Sequence, residues 1–200
     1  MQRMFLGIVL VMACATGAAA DPYDDAVSAF QRKDYKRAAQ LFRPFAEQGD
    51  AQAQSGLGTM YMNGQGLPQD YEEAVKWYRL AAAQGDVLAQ TGLGTMYKNG
   101  QGVRQDYEEA VKWYRLAAAQ GNEDAQSGLG LMYHNGYGVP QDFIHAHMWF
   151  NLAATTLSGE AGKSAMKTRD RVASEMTAAQ IAEAQEMALR CQQSQFKKCD

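Results

Sequence analysis

Apolar residues recur at helical spacing in two successive stripes near the middle of the chain. The first stripe consists of Ala53, Leu57, Met60 and Tyr61. The second consists of Ala74, Trp77, Tyr78, Ala81 and Ala82. Intervals of three and four residues place each stripe on one face of a helix. The pattern therefore predicts two amphipathic helices, from about residue 50 to 62 and from about residue 70 to 84.

Polar residues and glycines at the ends of these stripes support both helices. Asp70 suits an N-cap position, and Glu73 three residues later would complete an aspartate version of the capping box. Gly85 suits the left-handed position that ends a helix, and Asp86 then suits the N-cap of the next one. Two glycines and a proline within residues 63–69 predict a fixed, non-helical turn between the helices.

The two-helix unit repeats every 36 residues. Residues 51–86 align with 87–122 without a gap, and 29 of the 36 positions are identical. A third copy follows, and a shorter pair without the glycine-rich turn precedes them. A fixed period of this length is typical of stacked repeat arrays, in which each unit contacts only its neighbours. We predict helix pairs at about 22–48, 50–84, 86–120 and 122–156.

The repeat stops after residue 157, and a different helical segment follows. Residues 159–175 predict a polar helix, and Thr177 with Gln180 forms a capping box for a last helix to about Cys191. We expect residues 158–200 to cap the array. In an exported protein Cys191 and Cys199 would pair. A continuous helix would hold them ~12 Å apart, beyond the roughly 7 Å that a disulfide spans, so the chain must turn back after Cys191.

The first 20 residues predict a secretory signal peptide. Arg3 precedes an apolar run over residues 4–14, and small residues at 18–20 provide a cleavage site before Asp21. In an alternative interpretation, residues 11–14 form a lipoprotein cleavage box and Cys14 is acylated. Cleavage before Asp21 would place the bacterial protein in the periplasm or outside the cell, whereas acylation of Cys14 would tether it to the envelope. Nothing after this segment is apolar for long enough to span a bilayer, so we expect no integral membrane segment in the mature chain.

Charge argues against a nucleic-acid partner. The formal net charge is −3, and loss of Arg3 would leave 18 basic against 22 acidic residues, a net charge of −4. Nucleic-acid binding requires a clustered basic face. Four basic residues within positions 32–37 are interrupted by Asp34 and indicate a solvated helix face.

The repeated positions also carry a family pattern: A-x-x-x-L-G-x-M-Y-x-N-G-x-G-[VL], then D-[YF]-x-x-A-x-x-W-[YF]. It resembles the Sel1-like repeat, a branch of the tetratricopeptide-like superfamily, over residues 50–157. In the first copy the signature residues are Ala53, Leu57, Gly58, Tyr61, Gly64, Gly66, Ala74 and Ala82. The resemblance implies an all-α, right-handed solenoid of antiparallel helix pairs. It also implies an adaptor or receptor for other proteins, since many members are exported bacterial proteins with such roles.

Residues that could carry other chemistry give little support for an enzyme or a metal protein. His145 and His147 lie about 200° apart around a helix, so they cannot chelate one metal ion, and we expect neither metal nor cofactor. Ser164 and Lys167 match S-x-x-K, but neither S-D-N nor K-T-G accompanies it. Trp77, Trp113 and Trp149, one in each unit, are expected to be core residues and not a ligand platform.

Positions that vary between near-identical units are the best candidates for a binding surface. In the geometry that the resemblance implies, the first helix of each pair lines a concave groove, and its outward positions would contact a partner. These positions are Gln52, Ser55, Thr59, Met62, Leu88, Thr91, Thr95, Lys98, Asp124, Ser127, Leu131 and His134. Their variation is equally compatible with neutral drift on a solvated face.

We therefore expect a monomeric, non-enzymatic, periplasmic or secreted scaffold that binds a protein or peptide in this groove. One alternative is a cell-wall-associated penicillin-binding or β-lactamase-like protein that uses Ser164 and Lys167. The other is a structural spacer of the envelope, which lipidation of Cys14 would favour.

Overall fold

The computed structural model describes residues 22–156, 159–197 and 199, and its regular secondary structure in these ranges is entirely helical. The predicted signal peptide and Cys14 lie outside the described residues. The helices are α1 (Pro22–Gln31), α2 (Tyr35–Glu47), α3 (Ala51–Asn63), α4 (Tyr71–Ala83), α5 (Val87–Asn99), α6 (Tyr107–Ala118), α7 (Glu123–Asn135), α8 (Phe143–Thr156), α9 (Gly159–Ala173) and α10 (Ala178–Gln193). The predicted all-α class is confirmed.

The first eight helices form four pairs that stack in sequence order, so each helix packs against the next one along the chain. The first helices of neighbouring pairs also touch: α3 contacts α5, and α5 contacts α7. Successive second helices approach one another less closely. The stack is therefore tighter along the first helices. We call the surface formed by α1, α3, α5 and α7 the first-helix face.

Asp70 and Asp86 cap their helices as the sequence predicts, but the capping box predicted at Asp70 is incomplete. Asp86 accepts a hydrogen bond from the Ala89 amide at 2.7 Å, and Asp70 accepts one from the Glu73 amide at 3.0 Å. The predicted reciprocal bond from Asp70 to the Glu73 side chain is wrong. The Asp70 amide instead donates to the carbonyl oxygen of Tyr61 at 3.0 Å, so it has no proton left for Glu73.

Close helix contact within each of the last three pairs depends on a glycine of the first helix. A Cβ atom at Gly58 would lie only 2.6 Å from the Cδ1 atom of Tyr78, so any larger residue would displace the ring.

The tryptophans contribute to the core to different extents. Trp149 is buried, with 2 % of its surface exposed, whereas Trp77 and Trp113 are half-buried and pack against the core from its edge.

Polar side chains join neighbouring pairs at a fixed separation of 18 residues. Arg79 donates to the hydroxyl of Tyr97 at 2.7 Å. The same bond recurs one pair later, from Arg115 to Tyr133 at 2.7 Å. At the end of the array Asn151 stands 36 residues after Arg115, and an arginine of the cap donates to its side chain. These bonds fix the register of each pair on the next.

The glycine-rich turns are a second inter-repeat contact. Gly66 adopts a φ of +71°, and a Cβ atom there would lie 2.3 Å from the backbone carbonyl carbon of Tyr35, at the start of α2. The turn therefore rests on the backbone of the preceding pair. The short connection between α1 and α2 has no such turn.

Helices α9 and α10 pack against α8 and cover the end of the array. The predicted capping box of Thr177 and Gln180 is present at the start of α10. The chain reverses through Gln195 and Phe196, both with positive φ, and a disulfide joins Cys191 to Cys199 with their Cα atoms 4.6 Å apart. The predicted reversal and pairing are confirmed, although α10 continues two residues beyond Cys191.

Candidate protein-binding face

The twelve predicted groove residues all lie on α3, α5 and α7, and the structure places them at different depths. Gln52, Leu88, Asp124 and Leu131 are exposed. The partly buried residues are Thr59, Met62, Thr91, Thr95, Lys98, Ser127 and His134. Ser55 is buried, with 2 % exposed, so the prediction that it points outward is wrong. Its helix turns it toward neighbouring helices while Gln52, one turn earlier, reaches solvent.

Hydroxyl groups at three of these positions are used inside the fold. Thr59 lies 3.0 Å from the Tyr78 hydroxyl, and Thr95 lies 3.1 Å from that of Tyr114. Thr91 shares its one proton between the Val87 carbonyl oxygen at 2.9 Å and the side-chain oxygen of Asn122 at 3.1 Å. Burial raises the pKa of Tyr78, and the hydrogen bond with Thr59 opposes that rise only in part, so the phenol stays protonated. These threonines support the face and have little capacity left for a partner.

Apolar surface on the first-helix face is concentrated at two leucines. Leu88, at the start of α5, is 66 % exposed, and Leu131, on α7, is 36 % exposed. Single exposed apolar side chains are common on protein surfaces and do not by themselves mark a binding site. The second helices also expose leucines, since Leu80 and Leu116 are 51 % and 50 % exposed. Exposure alone therefore does not distinguish the two sides of the solenoid.

The second-helix side also has recesses, one of about 680 Å³ lined in part by Leu116. The first-helix face contains a smaller cavity between α1, α3 and α5. It has a volume of about 380 Å³, near the lower end of ligand pockets, and we call it the α1–α3–α5 cavity. Its lining residues are Tyr23, Val27, Phe30, Phe42, Gln52, Ser55, Gly56, Thr59, Asp86 and Leu88. Four predicted groove residues thus surround one space. The aromatic and aliphatic walls come mainly from α1 and α2, which the sequence-based groove did not include.

A second recess of about 400 Å³ lies near the C-terminal ends of α5 and α7. Lys98 and Leu131 line it together with Tyr107 and Tyr137. The Tyr107 and Tyr137 rings are stacked, with their centroids 4.6 Å apart. Tyr137 stands where the two preceding turns have glutamine, so this aromatic pair is specific to the last turn.

The histidines occupy separate environments. His145 Nδ1 lies 2.7 Å from a carboxylate oxygen of Asp142, and its ring stacks on Tyr133. Burial alone would raise the pKa of Asp142, but the hydrogen bonds from His145 outweigh it and the net pKa is lowered. His147 is buried, and burial together with the charge of Arg169 lowers its pKa. Within the described ranges, no cluster of three or more potential ligands could hold a metal ion.

Ser164 and Lys167, the residues of the S-x-x-K match, are exposed on α9. Neither lines either of the recesses on the first-helix face. A nucleophilic serine requires a neighbouring base in a site that excludes water. The structure gives Ser164 no such enclosure.

Two features of this face escaped the sequence analysis. Residues 86 and 122 differ between the near-identical units, but Asp86 was interpreted only as a helix cap and Asn122 was not considered. The inter-repeat arginine bonds were also missed, although Arg79 and Arg115 stand 36 residues apart, as do Tyr97 and Tyr133. The 36-residue recurrence of each polar residue was the available signal.

No helix in the described part of the chain is both long and apolar enough to cross a bilayer.

A comparison with curated proteins gave no match. Among solved structures, the chain is similar to a protective antigen of uropathogenic Escherichia coli strains described as displaying an SLR fold. The identity is 42 % and the TM-score 0.65, over 70 % of this chain and 31 % of that one.

A Sel1 repeat protein from Oxalobacter formigenes is also similar, with 32 % identity and a TM-score of 0.66, over 72 % of this chain and 57 % of that one. The chain thus spans about a third of the length of the first structure and somewhat over half of the second. The family model described as Sel1 repeat matches residues 28–50, 51–86, 87–122 and 123–155, which is more than half of the chain. The chain therefore belongs to the Sel1 repeat family, and its fold is the helical-repeat solenoid of that family.

Proposed function

We propose that this protein is an exported, non-enzymatic scaffold that binds a protein partner through its first-helix face. The observation that carries the proposal is the α1–α3–α5 cavity, which opens beside the exposed Leu88. Membership of the Sel1 repeat family supports a role in protein interaction. The threonine hydroxyls on this face are bonded within the fold, which leaves the leucines, Lys98 and Asp124 for contact with a partner.

The test exchanges leucines on one side of the solenoid and compares them with matched leucines on the other. We expect Leu88→Lys with Leu131→Lys to abolish capture of the partner, because a charge would have to be desolvated at the interface centre. Leu80→Lys with Leu116→Lys, on the second helices, should leave capture unchanged. The measurement is quantitative mass spectrometry of proteins captured by each folded variant from periplasmic extract. Equal capture by both variants would remove the first-helix face from the proposal.

We further propose that the first 20 residues direct export and are removed before Asp21. The charged start, the short apolar run and the small residues at 18–20 support export and cleavage at this point. Intact-mass analysis of the protein from its native envelope tests it. A mass that begins at Asp21 supports a free periplasmic or secreted form, whereas an acylated Cys14 would replace that form with a membrane-tethered one.

A further inference from the structure

The α1–α3–α5 cavity combines an apolar wall with a single charged group. Val27, Phe30 and Phe42 line one part of it, and Leu88 stands at its edge. Asp86 is the only residue lining the cavity that carries a formal charge, and no lysine, arginine or histidine is among the lining residues. The charge of its lining residues therefore gives the cavity a negative electrostatic potential. Consistent with this, burial first, and then the charges of Asp50 and Asp86, raise the pKa of the Tyr23 phenol.

The Asp86 carboxylate is only partly used by the fold. One of its oxygens accepts the Ala89 amide as the N-cap of α5. The second oxygen can also accept hydrogen bonds through its lone pairs, because an ionised carboxylate accepts several in total. One unit later Asn122 caps α7 in the same way, through the Ala125 amide at 2.9 Å. Capping thus needs only a side-chain oxygen, and the negative charge of Asp86 is additional to that requirement.

A buried hydroxyl gives an independent sign of a missing ligand. The Ser55 side-chain oxygen is buried, lines the cavity and has no hydrogen-bond partner among the described residues. At the equivalent position one unit later, the Thr91 hydroxyl has two acceptors, the Val87 carbonyl oxygen and the Asn122 side-chain oxygen. A buried polar group without a partner costs roughly 1–3 kcal/mol. The Ser55 hydroxyl and the Asp86 carboxylate therefore offer unfilled hydrogen-bonding capacity at one place.

We propose that the α1–α3–α5 cavity receives an arginine side chain of the protein partner, an assignment that rests on the proposed binding role of this face. The aliphatic stem would lie on Val27, Phe42 and Leu88, and the guanidinium would donate to Asp86 and Ser55. Arginine has an apolar stem, five donors in a planar fork and an ability to stack on aromatic rings, and the cavity lining matches each property. A carboxylate or a neutral side chain matches only part of it.

The experiment titrates the purified protein with n-butylguanidinium and follows the ¹³C methyl resonances of Val27 and Leu88 by NMR. Valerate and n-pentanol serve as anionic and neutral probes with a comparable apolar chain. We expect saturable shifts of the Val27 and Leu88 methyls with butylguanidinium, weaker binding at high salt, and no shift of the Leu116 methyls on the opposite side. Equal or stronger shifts with valerate or pentanol would overturn the assignment.

The decisive variant is Asp86→Asn, because Asn122 shows that asparagine caps the equivalent helix. It removes the charge while keeping the cap, and we expect at least a tenfold loss of butylguanidinium affinity. Asp70→Asn removes the charge of another N-cap, outside the cavity, and should leave the affinity unchanged. Unchanged binding by Asp86→Asn would overturn the assignment.

Capture of the partner separates this inference from the proposed function. We expect Asp86→Asn to reduce capture as the leucine exchanges do. If Asp86→Asn retains its partner at the parental yield while the Leu88 and Leu131 exchanges abolish capture, the arginine assignment fails and the binding role of the face stands. If the leucine exchanges also leave capture unchanged, the proposed function itself fails.

Discussion

The hydroxyl groups of Thr59 and Tyr78 lie 3.0 Å apart across one helix pair, and the pairing is repeated 36 residues later. Thr59 also donates to the Ser55 carbonyl oxygen at 3.0 Å, which uses its only proton and leaves Tyr78 to donate to Thr59. In the last pair the equivalent residues are Leu131 and Phe150, neither of which has a hydroxyl. Both partners of the hydrogen bond have thus been replaced together by apolar residues.

This covariation predicts a coupling energy. Tyr114→Phe alone should lower the free energy of unfolding by about 1 kcal/mol, because the hydrogen bond to Thr95 is lost. Tyr114→Phe with Thr95→Leu, which reproduces the last pair, should recover most of that loss. Urea unfolding of both single variants and the double variant measures the coupling. Additive losses would show that the two hydroxyls do not act as a pair.

The glycine at the second position of each glycine-rich turn should tolerate no side chain. At Gly102 the φ is +67°, and a Cβ atom would lie 2.2 Å from the carbonyl oxygen of Tyr71. We expect Gly102→Ala to destabilise by more than about 2 kcal/mol, since backbone strain and an inter-repeat clash combine. Gly85→Ala is the control: φ is +89°, but nothing lies within 4 Å, so only the backbone term of about 1 kcal/mol should appear. Thermal unfolding compares the two variants, and equal shifts would show that the contact with the preceding pair is unimportant.

A glutamine at the end of α4 should hold the two helices of its own pair together by bonding to the buried Gln54 of α3. Gln84 donates to the side-chain oxygen of Gln54 at 2.9 Å and to the Gly49 carbonyl at 3.0 Å. Because Gln54 is 4 % exposed, Gln84→Ala leaves a buried acceptor unpaired and should cost about 1–3 kcal/mol. Gln185→Ala, at an exposed position of α10, should change stability by less than about 0.5 kcal/mol. Chemical unfolding that fails to separate these variants would contradict the coupling.

His147 should make the protein less stable in mild acid. Burial and the charge of Arg169 lower its pKa below the ordinary value of 6.5, so the unfolded chain takes up a proton more readily than the folded one. Stability is then fully present above pH 6.5 and is lost as the pH falls from 6.5 toward the folded pKa. The measurement is the free energy of unfolding against pH for the parent and for His147→Gln. The variant should show a flatter profile in that window, and superimposable slopes would exclude His147 as the source.

Much of the fold could be predicted from local sequence features. Asp50, Asp70 and Asp86 cap helices because a short acceptor side chain satisfies free amides in the first turn, an interaction within three residues along the chain. The 36-residue period predicts stacking because identical units must bury identical stripes. Even the chain reversal after Cys191 followed from a distance limit, once the two cysteines were expected to pair.

The candidate site could be predicted only in part. Leu88 and Leu131 were placed correctly on an exposed face, because their helical register follows from Leu57 and its repeats. Ser55 was not, because its burial depends on how neighbouring helices pack around it and not on helical register alone. Phe42 stands 36 residues before Tyr78 and keeps the register of the repeat, whereas Val27 belongs to α1, whose spacing along the sequence is changed by the shorter connection.

The sequence by itself determined the helix pairs, their caps, their number and the order in which they stack, because each depends on contacts that are close along the chain or repeated at one period. Only the tertiary structure decided which hydroxyls are used internally, which side chain is left without a partner and where a cavity opens. Those properties depend on how residues from three different pairs meet in space. Nearly identical units also differ at single residues, such as Asp86 where the next unit has Asn122. Such a difference, placed beside a cavity, separates a candidate binding site from the scaffold around it.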